Sequence, residues 1–255
     1  MLNPLQSPVR GLNYFLHGLN RLKEPVILPF IAIPLAINIL VFGLLIWWAS
    51  QQFSGWIDQA IAWLPVWLSF LHVLLWPLFA LTIALMVFFT FTLAANFIAA
   101  PFNGFLAEKI QRECTPHLLP EDNGWKDLLA IIPRSIVREG QKLVYYLPRA
   151  LGLLILTFIP VINLAAPLFW VLFSAWMMAV QYVDYPADNQ QVRFKEMLTQ
   201  LKGSGRTQLL AFGGIVALFT IIPLVNLVVM PAAVIGATHL WIDRQLNSSV
   251  HPETG

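Results

Sequence analysis

Arg134, Arg138 and Lys142 recur at i, i+4 and i+8 of a helical stretch, with Arg149 further along, so their cationic heads form one stripe. The stripe has two readings: a topology determinant touching lipid headgroups, or an anion-attracting pore lining. Glu108 and Arg112 stand at i,i+4 in the order that favours pairing. Arg21 and Lys23 lie just before the first long apolar run. The histidines His17, His72, His117, His239 and His251 are scattered, without HxxxH or HExxH spacing, and there is no phosphate-cradling glycine loop and no paired catalytic carboxylates. No metal, cofactor or enzymatic cluster is therefore expected. His72 and His239, in apolar stretches, are expected to be packing residues. The one cysteine, Cys114, excludes an internal disulfide. Asp184 and Asp188, in QYVDYPADN, are expected in a turn.

A second set of polar residues sits in a motif that occurs twice. Ile159-Pro160-Val161-Ile162-Asn163-Leu164 and Ile222-Pro223-Leu224-Val225-Asn226-Leu227 each interrupt a charge-free run, and Pro167 and Pro231 close them. Proline removes an N–H and clashes with the preceding turn, so such a break in hydrocarbon needs protein or water around it. Paired breaks are a transport-like signature, and two ordinary proline-kinked spans are the alternative.

The elements that must position these residues follow from composition. Of 255 residues 58% are hydrophobic and 11% charged, and the mean hydropathy is +0.70, far from the soluble range of roughly 25% charged. The chain is an integral membrane protein. No charge occurs in residues 25–57, 59–107, 150–183 or 207–242, and each run exceeds the roughly 20 residues that cross a bilayer. A cleavable signal peptide is not expected, because no short apolar core with a small-residue cleavage site follows the first residues.

In chain order, residues 1–24 read as an amphipathic interfacial helix, with Leu12, Phe15, Leu16, Leu19 and Leu22 at helical spacing. Residues 26–49 form the first span, about 36 Å long as a helix, and Trp47 and Trp48 end it. SQQFSGWIDQ, without Lys or Arg, reads as the outer loop. The second span is placed at about 76–99, because one crossing puts the seven Lys and Arg of residues 108–149 inside. It leads through Asn96 and Asn103 to Glu108, and residues 108–149 form a cytoplasmic helical region.

Both flanks of run 150–183 are basic, so the run enters and leaves on one side. Its arms of about 11 and 15 residues give roughly 16 and 22 Å of helix, short of the roughly 30 Å core. Run 207–242, with arms of about 16 and 11 residues, is read the same way. The predicted architecture is an all-α integral membrane protein of one domain: two full transmembrane helices, two re-entrant hairpins and the N-terminal amphipathic helix. Asn163 and Asn226 then sit near mid-membrane, where a polar side chain lines a cavity or bonds another segment. Lys and Arg near two hairpins suggest a passage for small anions, with half-helix ends facing the ion.

Several long segments carry a family resemblance: FIAAPFNGFLAE at 97–108, YYLPRA at 145–150, FSAWMMAVQYVDYPADN at 173–189, FKEM at 194–197 and MPAAVIGATHLW at 230–241. With them the chain resembles the CysZ family of bacterial sulfate permeases. The resemblance implies an inner-membrane protein admitting sulfate for cysteine synthesis, with two spans, partly inserted hairpins and a homo-oligomeric assembly. Family members carry Pro-Gly-hydrophobic-Arg-Arg before the first span, associated with sulfate, whereas Pro25-Val26-Ile27-Leu28-Pro29 stands here. Arg21 and Lys23 are nearby but do not match the motif. Weight shifts to Asn96, Asn103, Glu108, Arg112, Arg134 and Arg138 as path candidates, with Asn163 and Asn226 at the hairpins. The alternatives are a non-conducting scaffold protein and a membrane-embedded enzyme.

Overall fold

The computed structural model describes residues 7–62, 97–119, 125–203 and 205–250, with Pro77 and Leu81. Among these the chain is all helical, and it forms two compact units, residues 1–31 with 100–255 and residues 32–99. The helices are α1 Pro8–Arg21, α2 Leu28–Ala62, α3 over residues 97–114, α4 Trp125–Thr157, α5 Ala166–Asn189, α6 Phe194–Lys202, α7 Arg206–Thr220 and α8 Pro223–Val250.

α1 begins with Pro8 in the first turn, where a missing N–H costs nothing. It buries Gly11, Phe15 and Gly18 against protein, with Phe15 stacked on Phe219 of α7 at 5.8 Å between ring centroids. The predicted interfacial helix is thus seated in the bundle along one face. A Cβ at Gly18 would run into the carbonyl of Ala232 in α8, so this close crossing requires glycine.

α2 crosses Pro34 and stays helical to Ala62, so SQQFSGWIDQ is helix and not the expected loop. The segment holds one glycine and no proline, so little in it opposes continuation of the helix. By length and composition, Leu28–Leu45 and Ile162–Asn189 are the stretches able to cross a membrane among the described residues. The predicted second span, 76–99, lies outside the described residues except for Pro77, Leu81 and 97–99.

Both repeated motifs form helical hairpins. α4 and α5 join through residues 158–161 and a 3-10 turn at Ile162–Ala165; α7 and α8 join across Ile221 and Ile222. Val161 takes φ 73°, a positive value that β-branched residues rarely adopt. α4 runs on through residues 149 and 150, with Pro148 inside the helix. Ala179, Val180 and Val183 of α5, Leu209, Phe212 and Val216 of α7, and Ala232, Ile235, Leu240 and Trp241 of α8 form the core of the larger unit. α5 and α7 touch where a Cβ at Gly213 would collide with the carbonyl of Ala175.

The hairpin tips reverse the usual burial. Phe158 is 78% exposed, Val161 81%, Leu164 88% and Ile221 74%. This apolar surface is left uncovered by the described residues.

Candidate functional site

The basic stripe of α4 meets an acidic stripe on α5. Asp184 and Asp188, four residues apart, share one face of a helix that continues through Pro186 to Asn189. The turn expected there is therefore helix, and its carboxylates are committed to α4. Arg134 Nε donates to Asp188 Oδ2 at 2.9 Å. Arg138 Nη2 lies 2.8 Å from Asp184 Oδ1, and its Nε lies 3.3 Å from Asp188 Oδ1 without the alignment of a hydrogen bond. Lys142 Nζ lies 2.5 Å from Glu139 Oε1 and 3.5 Å from Asp184 Oδ2.

Three cations thus face three carboxylates. The pairing explains how Arg138, Lys142, Glu139 and Asp184 can all be buried. Arg138 also donates to the carbonyl of Val192 at 3.1 Å and lies over the Phe194 ring, tying α4 to the start of α6. Lys142 Nζ sits 4.4 Å from the Tyr185 ring centroid.

Around Glu139 the network becomes neutral and reaches α3. Tyr185 donates its hydroxyl to Glu139 Oε1 at 3.2 Å, Gln181 Nε2 donates to both carboxylate oxygens, and Asn103 Nδ2 donates to the Tyr185 hydroxyl at 3.3 Å. Further along α3, Gln111 Nε2 donates to the carbonyl of Pro186 and Asn189 Nδ2 donates to the carbonyl of Gly104. Of the predicted residues, Asn103, Arg134 and Arg138 therefore belong to one continuous polar layer between α3, α4 and α5. Sequence reasoning passed over Glu139 and Tyr185 and gave Asp184 and Asp188 only a turn role. The signal for the two aspartates was present as a second i,i+4 charge pair, opposite in sign, on the other arm of the same hairpin.

The remaining predicted residues lie elsewhere. Glu108 Oε1 accepts from Arg112 Nε and Nη2 at 2.9 and 2.6 Å, as their spacing predicts. Arg21 donates to Glu24 at 2.7 and 2.8 Å and to Glu113 Oε2 at 2.8 Å, pinning α1 to α3. Hydrogen bonding to both carboxylates raises the Arg21 pKa, and Arg21 in turn holds Glu24 below the ordinary glutamate range. Lys23 is exposed. Asn163 is exposed at the first tip, while Asn226 is half-buried at the second, with Oδ1 buried and unpartnered. Asn96 lies outside the described residues.

In place of the family's glycine–arginine stretch, Ile27 is buried and its N–H is spent on the carbonyl of Glu24 at 3.0 Å. Near this turn, His17 and His239 pack edge to face at 4.7 Å. Cys114 Sγ is 4.0 Å from His239 Nδ1, and Cys114 is exposed. Partial desolvation of the sulfur raises the pKa of its thiol.

An all-helical chain with apolar helices long enough to cross a bilayer, exposed apolar hairpin tips and a compensated polar layer defines a membrane protein. The family model described as Sulfate transporter CysZ/Etoposide-induced protein 2.4 matches residues 14–231, and the chain belongs to this family. It is 52% identical over 239 residues to the Sulfate transporter CysZ of Pseudomonas fluorescens (strain Pf0-1), covering 93% of this chain and 95% of the relative. It is 52% identical over 240 residues to that of Pseudomonas aeruginosa (strain LESB58), covering 92% and 95%. To that of Pectobacterium atrosepticum it is 47% identical over 240 residues, covering 94% and 86%.

Proposed function

We propose that this chain is a sulfate permease of the bacterial inner membrane that supplies sulfate for cysteine biosynthesis. The observation that carries the reading is the 52% identity, over 93% of the chain, to relatives named as sulfate transporters. Geometry supports a mode of action. A dianion in a low-dielectric layer is stabilised by N–H groups and cations, yet conduction fails if it is held too firmly. The α3–α4–α5 layer presents cations already matched by carboxylates, which attracts sulfate weakly and releases it. Arg134 and the Glu108–Arg112 pair, at the half-exposed margin, are the proposed entry contacts, with Lys23 as an exposed cation beyond them.

The hairpins are proposed to be re-entrant. From Arg149 to the turn at residue 158, α4 offers about 14 Å of apolar helix, less than half of the roughly 30 Å core. Because α5 returns from the same turn, the shorter arm sets the depth, although α5 alone is long enough to cross. α7, with 15 residues, gives about 22 Å. Lipid around the tips and a homo-oligomeric assembly complete the proposal, with Asn163 and Asn226 as tip residues on the route.

The test is uptake of radiolabelled sulfate into vesicles containing this protein alone, with and without a pH gradient. Uptake above empty vesicles is expected; uptake equal to them sinks the permease reading and favours the scaffold. Asn163→Ala and Asn226→Ala are expected to lower flux without loss of folded protein, and full flux in both would make the tips structural only.

A further inference from the structure

Asn38 is the one polar side chain in Leu28–Leu45, the apolar stretch of α2 long enough to cross a bilayer. It lies ten residues into the helix, about 15 Å from its start and so near the middle of the roughly 30 Å core. Pro34 is buried and Asn38 and Val41 are half-buried, whereas Ile39 is 66% and Leu40 63% exposed. Steps of four and three put the first three on one face of the helix. Asn38 Oδ1 is buried and has no hydrogen-bond partner. Its own helix has nothing to offer that oxygen, since mid-helix N–H groups are spent on carbonyls. On the same face Pro34, without an N–H, cannot close the helical bond to the carbonyl of Phe30. An unpaired amide oxygen at this depth is costly unless water or another polar group reaches it. Among the described asparagines one other has a buried Oδ1 without a partner, and it is Asn226, the tip residue already proposed for the route. Asn103 and Asn189, in contrast, are held by hydrogen bonds to protein.

We propose that Asn38 is a hydrated step of the sulfate route within the first span, with water on Oδ1 and the Nδ2 N–H groups donating to the anion's oxygens. The proposal rests on the permease reading and adds a residue to it. An amide suits such a step, because it offers two donors without a fixed charge, so a dianion is steadied and then released. Water that accompanies the anion along this face supplies the donor that Oδ1 lacks.

The test uses Asn38→Cys and, separately, Leu40→Cys in full-length protein carrying Cys114→Ser, reconstituted in vesicles and exposed to the water-soluble anionic reagent sulfonatoethyl methanethiosulfonate. Modification of the thiol at position 38 and none at position 40 is expected, and added sulfate is expected to slow the first. No modification at position 38, equal modification at both, or modification that sulfate leaves unchanged overturns the proposal. Asn38→Leu is similar in volume and at home in hydrocarbon, so it is expected to fold with an unfolding temperature no lower than the parent's. Its sulfate uptake is expected to fall about tenfold, the equivalent of one hydrogen bond to a charged group. Uptake equal to that of the parent overturns the step as well. Parent vesicles that take up no sulfate sink the permease reading instead, and protection of position 38 by sulfate is then read on its own.

Discussion

Arg138 shows how much one side chain decides in this fold. It is buried between Asp184 and Asp188, and it reaches α6 through the carbonyl of Val192. Removing one partner of a buried pair leaves an uncompensated charge, so Arg138→Ala is expected to cost about 3–5 kcal/mol. Arg138→Met with Asp184→Leu removes both charges and is expected to cost less than the single change, read as thermal unfolding in detergent. Additive losses would mean that the two residues do not act as a pair. At the edge of the bundle, Glu24 carries a pH dependence. Its pKa is depressed by Arg21, so the pair contributes its full stability above the unfolded glutamate pKa and loses it as pH falls through the lower folded value. Glu24→Gln is expected to remove that part of the acid limb of thermal stability, and an unaltered profile would show the pair to be inert.

Among the helices, the decisive contacts are close approaches of backbone. Gly213 of α7 faces the carbonyl of Ala175, whereas a Cβ at Gly140 of α4 meets nothing within 4 Å. Gly213→Ala is expected to destabilise by about 1–3 kcal/mol by forcing α5 and α7 apart. Gly140→Ala is expected to be neutral or to stabilise by up to about 1 kcal/mol, since alanine favours helix. Equal unfolding temperatures for the two variants would contradict this packing. The helical repeat in the sequence made both hairpins legible, because prolines and an asparagine recur at matching places in two apolar runs. Helix limits were less legible: α4 runs through Pro148, and α5 passes Pro186 to end at Asn189. Pro186 lies in a stretch of α5 buried in the core, and that support outweighs a local breaker.

For the molecule as a whole, the exposed apolar tips make the membrane placement testable. In a Cys114→Ser background, Leu164→Cys and Ile221→Cys are expected to resist a membrane-impermeant maleimide from either side, while Thr199→Cys is labelled from the cytoplasm alone. Labelling of a tip from the periplasm would mean that the arms cross. Composition, charge-free runs and periodicity by themselves determined an all-helical membrane chain, and matching segments of sequence were enough to place its family. They also exposed the cationic stripe of Arg134, Arg138 and Lys142. Only the tertiary structure decided what that stripe faces. Residues 54 apart, such as Arg134 and Asp188, meet because an antiparallel hairpin returns α5 along α4, and the low dielectric between helices makes every buried charge find its opposite. The same folding turned Arg21 from a candidate free cation into a bridge to Glu24 and Glu113, and left Leu12, Leu16 and Leu19 of α1 exposed among the described residues.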